Sequence, residues 1–517
     1  ADDEETLLRR VADLQTLISD SSDLETAVAQ NYLTYQAHQD ETYAVAIVGS
    51  TAEKLLREIK GALSGIPQAF NSGQVWKSPQ GSIFAPEPVG ETGKVAFVYP
   101  GAFSAYPWLG RDLFQLFPHL HEAFADQVAD PSDLVGDKLL YPRTMHRMSD
   151  KEAKRHLFKL VSNSVTMLQA GASYSTLITK VMRDQFGVQP DGAMGYSLGE
   201  MTMMFGMGVW AVADNNSDLV GQSPLFNERL SGPQNAVRDF WQLPPAQLGD
   251  KNPIWAIFIL KTEANAAAAA VAQVERVYLT HINTPHEVVI AGDPQGCMQV
   301  VRTLDCDYII APYNHVLHCE PMQSEWEEFV RLNTIPVQNA PAVDFYYAAD
   351  NASPTLTSQA IAHNIATASY QLVDFPSLVQ RAYEDGVRVF LEMGPRAACT
   401  WWVQDILAEQ PHLAAAINRR SLDDHTLLVQ MLAQLVAQRV PVDLSSLVDT
   451  NAVTAENSHT RSLVRTVSLT KTPIQEMILT AENKAHFAKV ALKPTPVAAK
   501  PAPLAAVLPP PPPSIKA

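Results

Sequence analysis

A serine flanked by two glycines is the feature that most constrains this chain. Residues 194–200 read Met-Gly-Tyr-Ser-Leu-Gly-Glu, and an apolar, potentially helical run follows directly. The pattern Gly-x-Ser-x-Gly is typical of a nucleophile elbow, a tight strand-to-helix turn in which side chains at the flanking positions would clash. Such a turn exposes the hydroxyl of Ser197, and the N–H of Leu198 at the helix N-terminus can stabilise an oxyanion. The pentapeptide alone leaves an ordinary glycine-rich turn equally open.

A second turn follows the predicted strand 95–99. Residues 99–104 read Tyr-Pro-Gly-Ala-Phe-Ser. A strand that ends in Pro-Gly leaves backbone N–H groups free at its carboxyl end, where α/β sheets hold their ligands. This turn is therefore a second possible source of an oxyanion donor.

The order of elements changes after residue 253. Alternating apolar runs predict strands at 254–260, 276–282, 287–291 and 308–311, with helices at 264–274 and 293–304. The order βαββαβ is that of a ferredoxin-like unit. We therefore expect an α/β fold, with a large α/β-hydrolase-like body, this ferredoxin-like subdomain inserted into it, and a small α/β adaptor before it.

These patterns divide the 517 residues into six segments. We expect an acidic helical linker at 1–41, the α/β adaptor at 42–92, the first part of the large body at 93–252, the ferredoxin-like subdomain at 253–312, the second part of the body at 313–448, and a Pro/Ala-rich tether at 449–517. The tether contains five consecutive prolines, which favour an extended, semi-rigid chain. The first residue is not methionine and the last segment is a linker, so we interpret the chain as a piece of a longer protein.

Charge and cysteine usage exclude several classes of protein. The net charge of −17 argues against nucleic acid or an anionic membrane surface as the main partner. The four cysteines show no Cys-x-x-Cys spacing, which favours free thiols in a reducing cytoplasm. No apolar run is long enough to predict a membrane span.

Three separated segments agree in order and spacing with one family. The turn at 99–101, the elbow at 195–200, and His318 followed by Pro321 and Met322 resemble the acyltransferase domains of fatty acid and polyketide synthases, the family of malonyl-CoA:acyl carrier protein transacylase. Asn-Thr-Pro at 283–285 and Glu-Met-Gly-Pro at 392–395 are similar to further segments of that family. The resemblance covers roughly residues 42–445.

The resemblance implies an enzyme with a ping-pong mechanism. Ser197 would attack an acyl thioester, and His318, oriented by a backbone carbonyl, would take its proton and return it to the departing thiol. The oxyanion donors would be the N–H groups of Ala102 and Leu198, although the family usually has glutamine where this chain has Ala102. Acyl-CoA and a phosphopantetheinyl acyl carrier protein would be the substrates, without a permanently bound cofactor or a metal.

The acyl group is predicted from a departure from the family. Malonyl-type members carry an arginine about 25 residues after the serine, which pairs with the free carboxylate of the extender unit. In our register that position is Gln222, which predicts a non-carboxylated starter or long-chain acyl group. Against this, His315 and His318 are similar to the His-Ala-Phe-His motif of malonyl-selective polyketide synthases. A malonyl-specific extender transferase, a serine thioesterase releasing free acid and an inactive scaffold module remain alternatives.

The combination of motifs looks most like the acyltransferase subunit or domain of polyunsaturated fatty acid synthases. Heterocyst-glycolipid and other iterative synthases are similar to almost the same degree. This resemblance implies an upstream ketosynthase-like domain and other synthase subunits as partners besides the carrier protein. Simpler interpretations apply to several charged residues. Glu200 is expected to be a charge at a helix N-terminus. Three arginines are interpreted as solvated cations that at most face an acidic carrier protein: Arg111, Arg388 and Arg396.

Overall fold

The structure is a computed structural model that describes residues 1–118, 120, 137–142, 148–211, 217–247, 253–349, 355–420 and 422–448. The predicted tether at 449–517 lies outside the described residues. Within the described ranges, no helix combines the length and the apolarity needed to cross a bilayer.

The N-terminal part is a small layered unit. Its elements in chain order are helix α1 (Glu4–Asp20), helix α2 (Leu24–Gln36), strand β1 (Val45–Ala46), helix α3 (Ala52–Ser72), strand β2 (Trp76–Lys77) and strand β3 (Ile83–Phe84). The three strands form an antiparallel sheet with β3 in the middle. Leu7 and Val11 on one face of α1 are buried in the same core as Ile59 of α3. The segments predicted as linker and adaptor therefore share one hydrophobic core.

The first part of the large body contains most of its helices. The elements are β4 (Lys94–Tyr99), α4 (Arg111–Leu116), α5 (Asp137–Leu140), α6 (Asp150–Val161), α7 (Ser164–Lys180), a π-helical turn (Val181–Gln185), β5 (Gly192–Gly195), α8 (Gly199–Gly206), α9 (Ser217–Gln222), a second π-helical turn (Leu225–Arg229) and α10 (Asn235–Phe240). The apolar residues over 151–181 predict helical structure, and the structure has two helices there. The side chain of Asn163 accepts the N–H of Thr166 at 2.9 Å and so starts a new helix.

The inserted subdomain has the predicted order of elements. These are β6 (Ala256–Lys261), α11 (Ala264–Val271), β7 (Val277–Thr284), β8 (Glu287–Gly292), α12 (Pro294–Leu304) and β9 (Tyr308–Ile310). Their strands pair antiparallel in the order β7-β8-β6-β9, which is the ferredoxin-like arrangement. Phe258 and Leu260 of β6 pack with Val300 of α12 in the core of this unit.

The second part of the body closes the fold. Its elements are a 3₁₀ turn (Glu320–Glu325), α13 (Trp326–Asn333), β10 (Asp344–Tyr346), α14 (Ser358–Ala368), β11 (Val373–Asp374), α15 (Phe375–Glu384), β12 (Val387–Glu392), α16 (Ala398–Ile406), β13 (Leu413–Ala416), α17 (Asp424–Ala437) and a 3₁₀ turn (Ser445–Leu447). Strand β11 extends the small sheet, which the periodicity of apolar residues did not predict. Val373 pairs in parallel with His281 of β7.

The large sheet positions the candidate site. Its five strands are parallel in the order β10-β5-β4-β12-β13 and are covered by helices on both faces. Phe97, Ala193 and Leu391 are fully buried in three neighbouring strands. Because the carboxyl ends of parallel strands share one edge, the turn after β4, the elbow after β5 and the loop after β12 meet there.

Candidate active site

The elbow predicted from the sequence is present, and each of its glycines has a steric reason. A Cβ at Gly195 would lie 2.2 Å from the backbone N of Glu200, and one at Gly199 would lie 2.1 Å from the carbonyl oxygen of Tyr99. Ser197 itself has a φ of +57°, a left-handed conformation that non-glycine residues adopt at a cost. The local chain therefore holds the serine in a strained turn between β5 and α8.

Ser197 and His318, 121 positions apart in the chain, are joined by a hydrogen bond. The Oγ of Ser197 lies 2.6 Å from Nε2 of His318, and Nδ1 of His318 lies 2.6 Å from the carbonyl oxygen of Ala368. Because a carbonyl can only accept, Nδ1 carries the hydrogen and Nε2 is the acceptor for the serine hydroxyl. Burial lowers the pKa of His318 to about 4, so the imidazole is neutral near pH 7.

The backbone around His318 is fixed from the end of α14. His318 has a φ of +58°, and its N–H donates to the carbonyl oxygen of Ser369 at 2.7 Å. With the bond from Nδ1 to Ala368, both contacts place the imidazole through backbone carbonyl groups. This arrangement matches the expectation of a histidine oriented by backbone rather than by an acid.

The structure places the two predicted oxyanion donors beside the serine. Ala102 and Leu198 line the same small cavity between the turn after β4 and the start of α8. Among the described residues, neither N–H has a hydrogen-bond acceptor. Free N–H groups at a helix start and a strand end are the geometry that stabilises an oxyanion. Their assignment as donors remains a prediction.

The serine opens into a cleft between the large body and the small subdomain. The cavity has a volume of about 280 Å³, and Ser197 and His318 line it on the body side. Ile257 and Val289 contribute apolar surface from the small sheet. The small subdomain therefore forms one wall of the site.

His315 also lines this cleft. Its ring lies 4.3 Å from the ring of Phe103, centroid to centroid. Burial lowers its pKa to about 4, so its ring is uncharged near neutral pH. The structure therefore brings His315 together with the serine and His318, as the sequence motif suggests.

Gln222 is not brought to the cleft. It ends α9, is exposed, and is absent from the residues that line the cavity. The register counted along the sequence from Ser197 therefore ends at an exposed residue outside the lining of the cleft.

Arg229, at the end of the π-helical turn that follows α9, is held by two carboxylates. Its guanidinium contacts Glu325 at 2.5 Å through Nη2 and at 2.9 Å through Nε, and Asp239 at 2.5 Å through Nη1. Glu325 is buried. The positive charge of this arginine is thus compensated within the protein.

Sequence reasoning missed His281. Its ring meets that of His318 edge to face with 4.6 Å between centroids, and stacks on Tyr196 with 5.4 Å between centroids. Burial, followed by the repulsion that a protonated His318 would exert, keeps the pKa of His281 well below its usual value. Its position two residues before the Asn-Thr-Pro segment is the only sequence signal that could have marked it.

A chain of hydrogen bonds explains why that segment matters. The hydroxyl of Tyr196 donates to Asn283 Oδ1 at 2.6 Å, and Nδ2 of Asn283 donates to Glu287 at 2.9 Å. Trp402 donates to the same Glu287 oxygen at 2.9 Å. The residue next to the serine is therefore tied to both the small subdomain and α16.

Arg396 was interpreted from the sequence as a solvated cation. The structure instead places it, half-buried, in the wall of the cleft.

No group of three or more histidine, cysteine or carboxylate side chains suited to a metal occurs within the described ranges.

The fold and the site define a class of protein. The chain has the fold of polyketide synthase acyltransferase domains. It matches the acyltransferase domain from module 8 of the salinomycin polyketide synthase with a TM-score of 0.65 and 17% identity, over 86% of this chain and 96% of that one. The domain from the second module of that synthase matches with a TM-score of 0.58 and 18% identity, over 89% of this chain and 97% of that one.

The sequence is similar to particular synthases. It is 27% identical over 418 residues to a polyunsaturated fatty acid synthase subunit from Thraustochytrium sp., covering 77% of this chain and 20% of that protein. It is 22% identical over 363 residues to polyketide synthase GfsA of Streptomyces halstedii, covering 68% of this chain and 4% of that protein. The chain thus spans one fifth or less of the length of these relatives. No protein-family model matches the chain. These likenesses confirm the resemblance drawn from the motifs.

Proposed function

We propose that this chain is an acyltransferase that moves an acyl group between CoA and acyl carrier protein thioesters, through an ester on Ser197, in polyunsaturated fatty acid or polyketide synthesis. The observation that carries the proposal is the 2.6 Å hydrogen bond from Ser197 Oγ to the neutral Nε2 of His318. The similarity to a component of a polyunsaturated fatty acid synthase supports the biosynthetic setting.

The first half-reaction acylates the serine. Nε2 of His318 accepts the hydroxyl proton while Oγ attacks the thioester carbon, and the carbonyl of Ala368 stabilises the resulting imidazolium. The N–H groups of Ala102 and Leu198 stabilise the oxyanion. The intermediate then collapses, the C–S bond breaks, and the departing thiolate takes the proton from His318.

The second half-reaction reverses these steps with another thiol. His318 takes the proton of an incoming phosphopantetheine thiol, whose sulfur attacks the ester carbon, and the proton returns to Ser197 Oγ as the C–O bond breaks. The carrier protein is the proposed partner for this step, and further synthase subunits and an upstream ketosynthase-like domain are proposed neighbours. The free cysteines of the described residues fit a cytoplasmic setting.

We further propose that the acyl group carries no second carboxylate. Arg229, the cation nearest the family's position, is already paired with Glu325 and Asp239. A carboxylate brought against it would compete with two existing ion pairs. The described segment at the family's position therefore offers no free cation to an acyl carboxylate, and a buried carboxylate without a cation of its own is strongly disfavoured.

Mass spectrometry of the intact protein tests the activity. After incubation with acetyl-CoA or a longer acyl-CoA, Ser197 should carry the acyl group, and a carrier-protein thiol added later should remove it. Ser197→Ala should not label, and His318→Ala should label about 10² to 10⁴ times more slowly. Rapid release of free acid without transfer would indicate a thioesterase. Failure of the folded protein to label with any acyl-CoA would indicate a scaffold.

The same assay tests the acyl group. Malonyl-CoA should label Ser197 far more slowly than acetyl-CoA at equal concentration. Equal or faster labelling by malonyl-CoA would overturn the non-carboxylated part of the proposal and favour an extender transferase, while leaving the acyl-transfer activity intact.

A further inference from the structure

Arg396 lies in the cleft with a backbone conformation that needs an explanation. It follows β12 directly after Gly394 and Pro395 and has a φ of +70°. In the described residues, ten non-glycine residues have positive φ, and four of them line this one cleft: Phe103, Ser197, His318 and Arg396. Strain of this kind concentrates at functional sites, and two of the four are the proposed nucleophile and base.

Buried hydrogen bonds hold Arg396 in that conformation. Its backbone N–H donates to Oδ1 of Asn418 at 2.8 Å. Asn418 is fully buried and is itself fixed by Asp424, whose Oδ1 accepts from Nδ2 of Asn418 at 2.8 Å. The backbone position of Arg396 is therefore fixed by a buried residue of the large body.

One hydrogen bond orients the side chain of Arg396, and its other N–H donors are available to a ligand. Nε of Arg396 donates to the carbonyl oxygen of Ser104 at 2.9 Å. Among the described residues, no carboxylate lies within ion-pair distance of Arg396, and its hydrogen bonds are made by the backbone N–H and by Nε, which leaves Nη1 and Nη2 without a partner. The planar guanidinium therefore presents its two terminal nitrogens for a planar or tetrahedral oxyanion.

The surroundings of Arg396 favour an anion at the cleft mouth. Burial and then the neighbouring positive charge of Arg420 both lower the pKa of Arg396, which shows that the two cations are close enough to interact. Arg420 is exposed, whereas Arg396 is half-buried in the wall of the cleft. Two positive charges thus lie close together between the surface and the cleft, on a chain whose net charge is −17.

We propose that Arg396 binds an oxyanion of the thioester substrate, namely the phosphate of the phosphopantetheine arm that CoA and the carrier protein share. This inference rests on the proposed function, because it assigns a contact to the thioester that Ser197 attacks. A carboxylate on the acyl group has the same chemistry as a ligand, and the experiment below separates the two sources.

The test compares substrates with and without each anion. The rate of Ser197 labelling at subsaturating substrate is measured with acetyl-CoA, malonyl-CoA, S-acetylpantetheine and S-malonylpantetheine, the last two of which lack phosphate. The full chain is used as wild type, Arg396→Gln, Arg396→Lys and, as a control, Arg302→Gln, which removes an exposed arginine from α12.

The expected result is selective for phosphate. Arg396→Gln should lower labelling by acetyl-CoA about 10-fold or more, the size of a lost charge-assisted hydrogen bond, and change labelling by S-acetylpantetheine less than about 2-fold. Arg396→Lys should recover part of the loss, and Arg302→Gln should match wild type.

Two outcomes would overturn the inference. An equal loss with acetyl-CoA and S-acetylpantetheine would mean that Arg396 only supports the loop. A loss confined to the two malonyl thioesters would assign the guanidinium to an acyl carboxylate.

A binding measurement tests the role of Arg396 independently of the proposed acyltransferase activity. In the Ser197→Ala background, 4′-phosphopantetheine should bind more tightly than pantetheine, and Arg396→Gln should remove that difference in calorimetry. If no thioester labels wild type, the proposed function fails while this comparison still decides the role of Arg396. Equal binding of 4′-phosphopantetheine and pantetheine by the protein that retains Arg396 would overturn the inference alone.

Discussion

The buried carboxyl group of Glu200 accepts the backbone N–H of Ala348, with 2.8 Å between the heavy atoms. This bond ties the helix that follows the serine to the segment after β10, the edge strand of the large sheet. The sequence suggested a charge at a helix N-terminus. Burial instead raises the pKa of Glu200 to about 8, so most of this carboxyl group is protonated near pH 7.

This raised pKa makes stability depend on pH. A carboxyl group whose pKa in the folded protein lies above its unfolded value of 4.5 makes its full contribution to the free energy of unfolding below pH 4.5. That contribution is lost as the pH rises through about 8. Glu200→Gln cannot ionise, so the free energy of unfolding of wild type should fall relative to the variant between pH 5 and pH 8. Each unit of pKa shift corresponds to about 1.4 kcal/mol. Urea denaturation of both proteins at the two pH values measures the difference, and parallel stabilities would contradict it.

The low pKa of His318 predicts an unusual pH profile for acylation. Protonation removes the Nε2 acceptor for the Ser197 hydroxyl, and this happens near pH 4 rather than near 6.5. The rate of Ser197 ester formation from acetyl-CoA should therefore be nearly constant from pH 8 to pH 6 and fall on approaching pH 4. Quenched-flow mass spectrometry gives the rate, and circular dichroism at each pH checks that the protein is folded. A midpoint near 6.5 would show that the imidazole is not desolvated as the structure indicates.

The glycines of the elbow should not tolerate a methyl group. In Gly195→Ala the new Cβ would lie 2.2 Å from the backbone N of Glu200. The turn must then open, or the free energy of unfolding must fall by about 1 to 3 kcal/mol or more, as is usual for steric overpacking. Gly221→Ala is the matched control, because no atom of the described residues lies within 4 Å of a Cβ built there and the residue is helical. The control should be neutral or stabilise by about 0.5 to 1 kcal/mol. Thermal unfolding and Ser197 labelling compare the two, and a stable, active Gly195→Ala would contradict the elbow geometry.

Arg229 should prove structural rather than selective. Arg229→Met leaves the buried Glu325 without its guanidinium partner, which should cost about 1 to 3 kcal/mol of unfolding free energy. The ratio of malonyl to acetyl labelling should not change. Arg331→Met is the control, since Arg331 pairs with Glu328 at the exposed surface and such pairs contribute about 0 to 1 kcal/mol. A fall in malonyl labelling alone in Arg229→Met would identify this arginine as the carboxylate-binding group.

Several elements followed from local sequence. The elbow required only two glycines around Ser197, and the βαββαβ order required only the periodicity of apolar residues, so both could be predicted from short stretches. His318 required more, because it lies 121 residues from the serine. It was found through a family resemblance rather than through any local signal.

Other features depend on packing between distant segments. Gln222 was placed by counting along the chain from Ser197, and the structure puts it at the exposed end of α9, outside the lining of the cleft. The pairing of β11 with the small sheet and the contact of His281 with His318 likewise join segments far apart in sequence.

The sequence by itself therefore determined the strained serine turn, the α/β class and the ferredoxin-like insertion, because steric demands on glycine and the spacing of apolar residues act within a few residues. Only the tertiary structure decided which cation faces the cleft. The sequence alone does not distinguish Arg229 from Arg396. In the structure, two carboxylates neutralise the charge of Arg229. Arg396 is held by Asn418 and Ser104, and its terminal nitrogens have no counter-charge among the described residues.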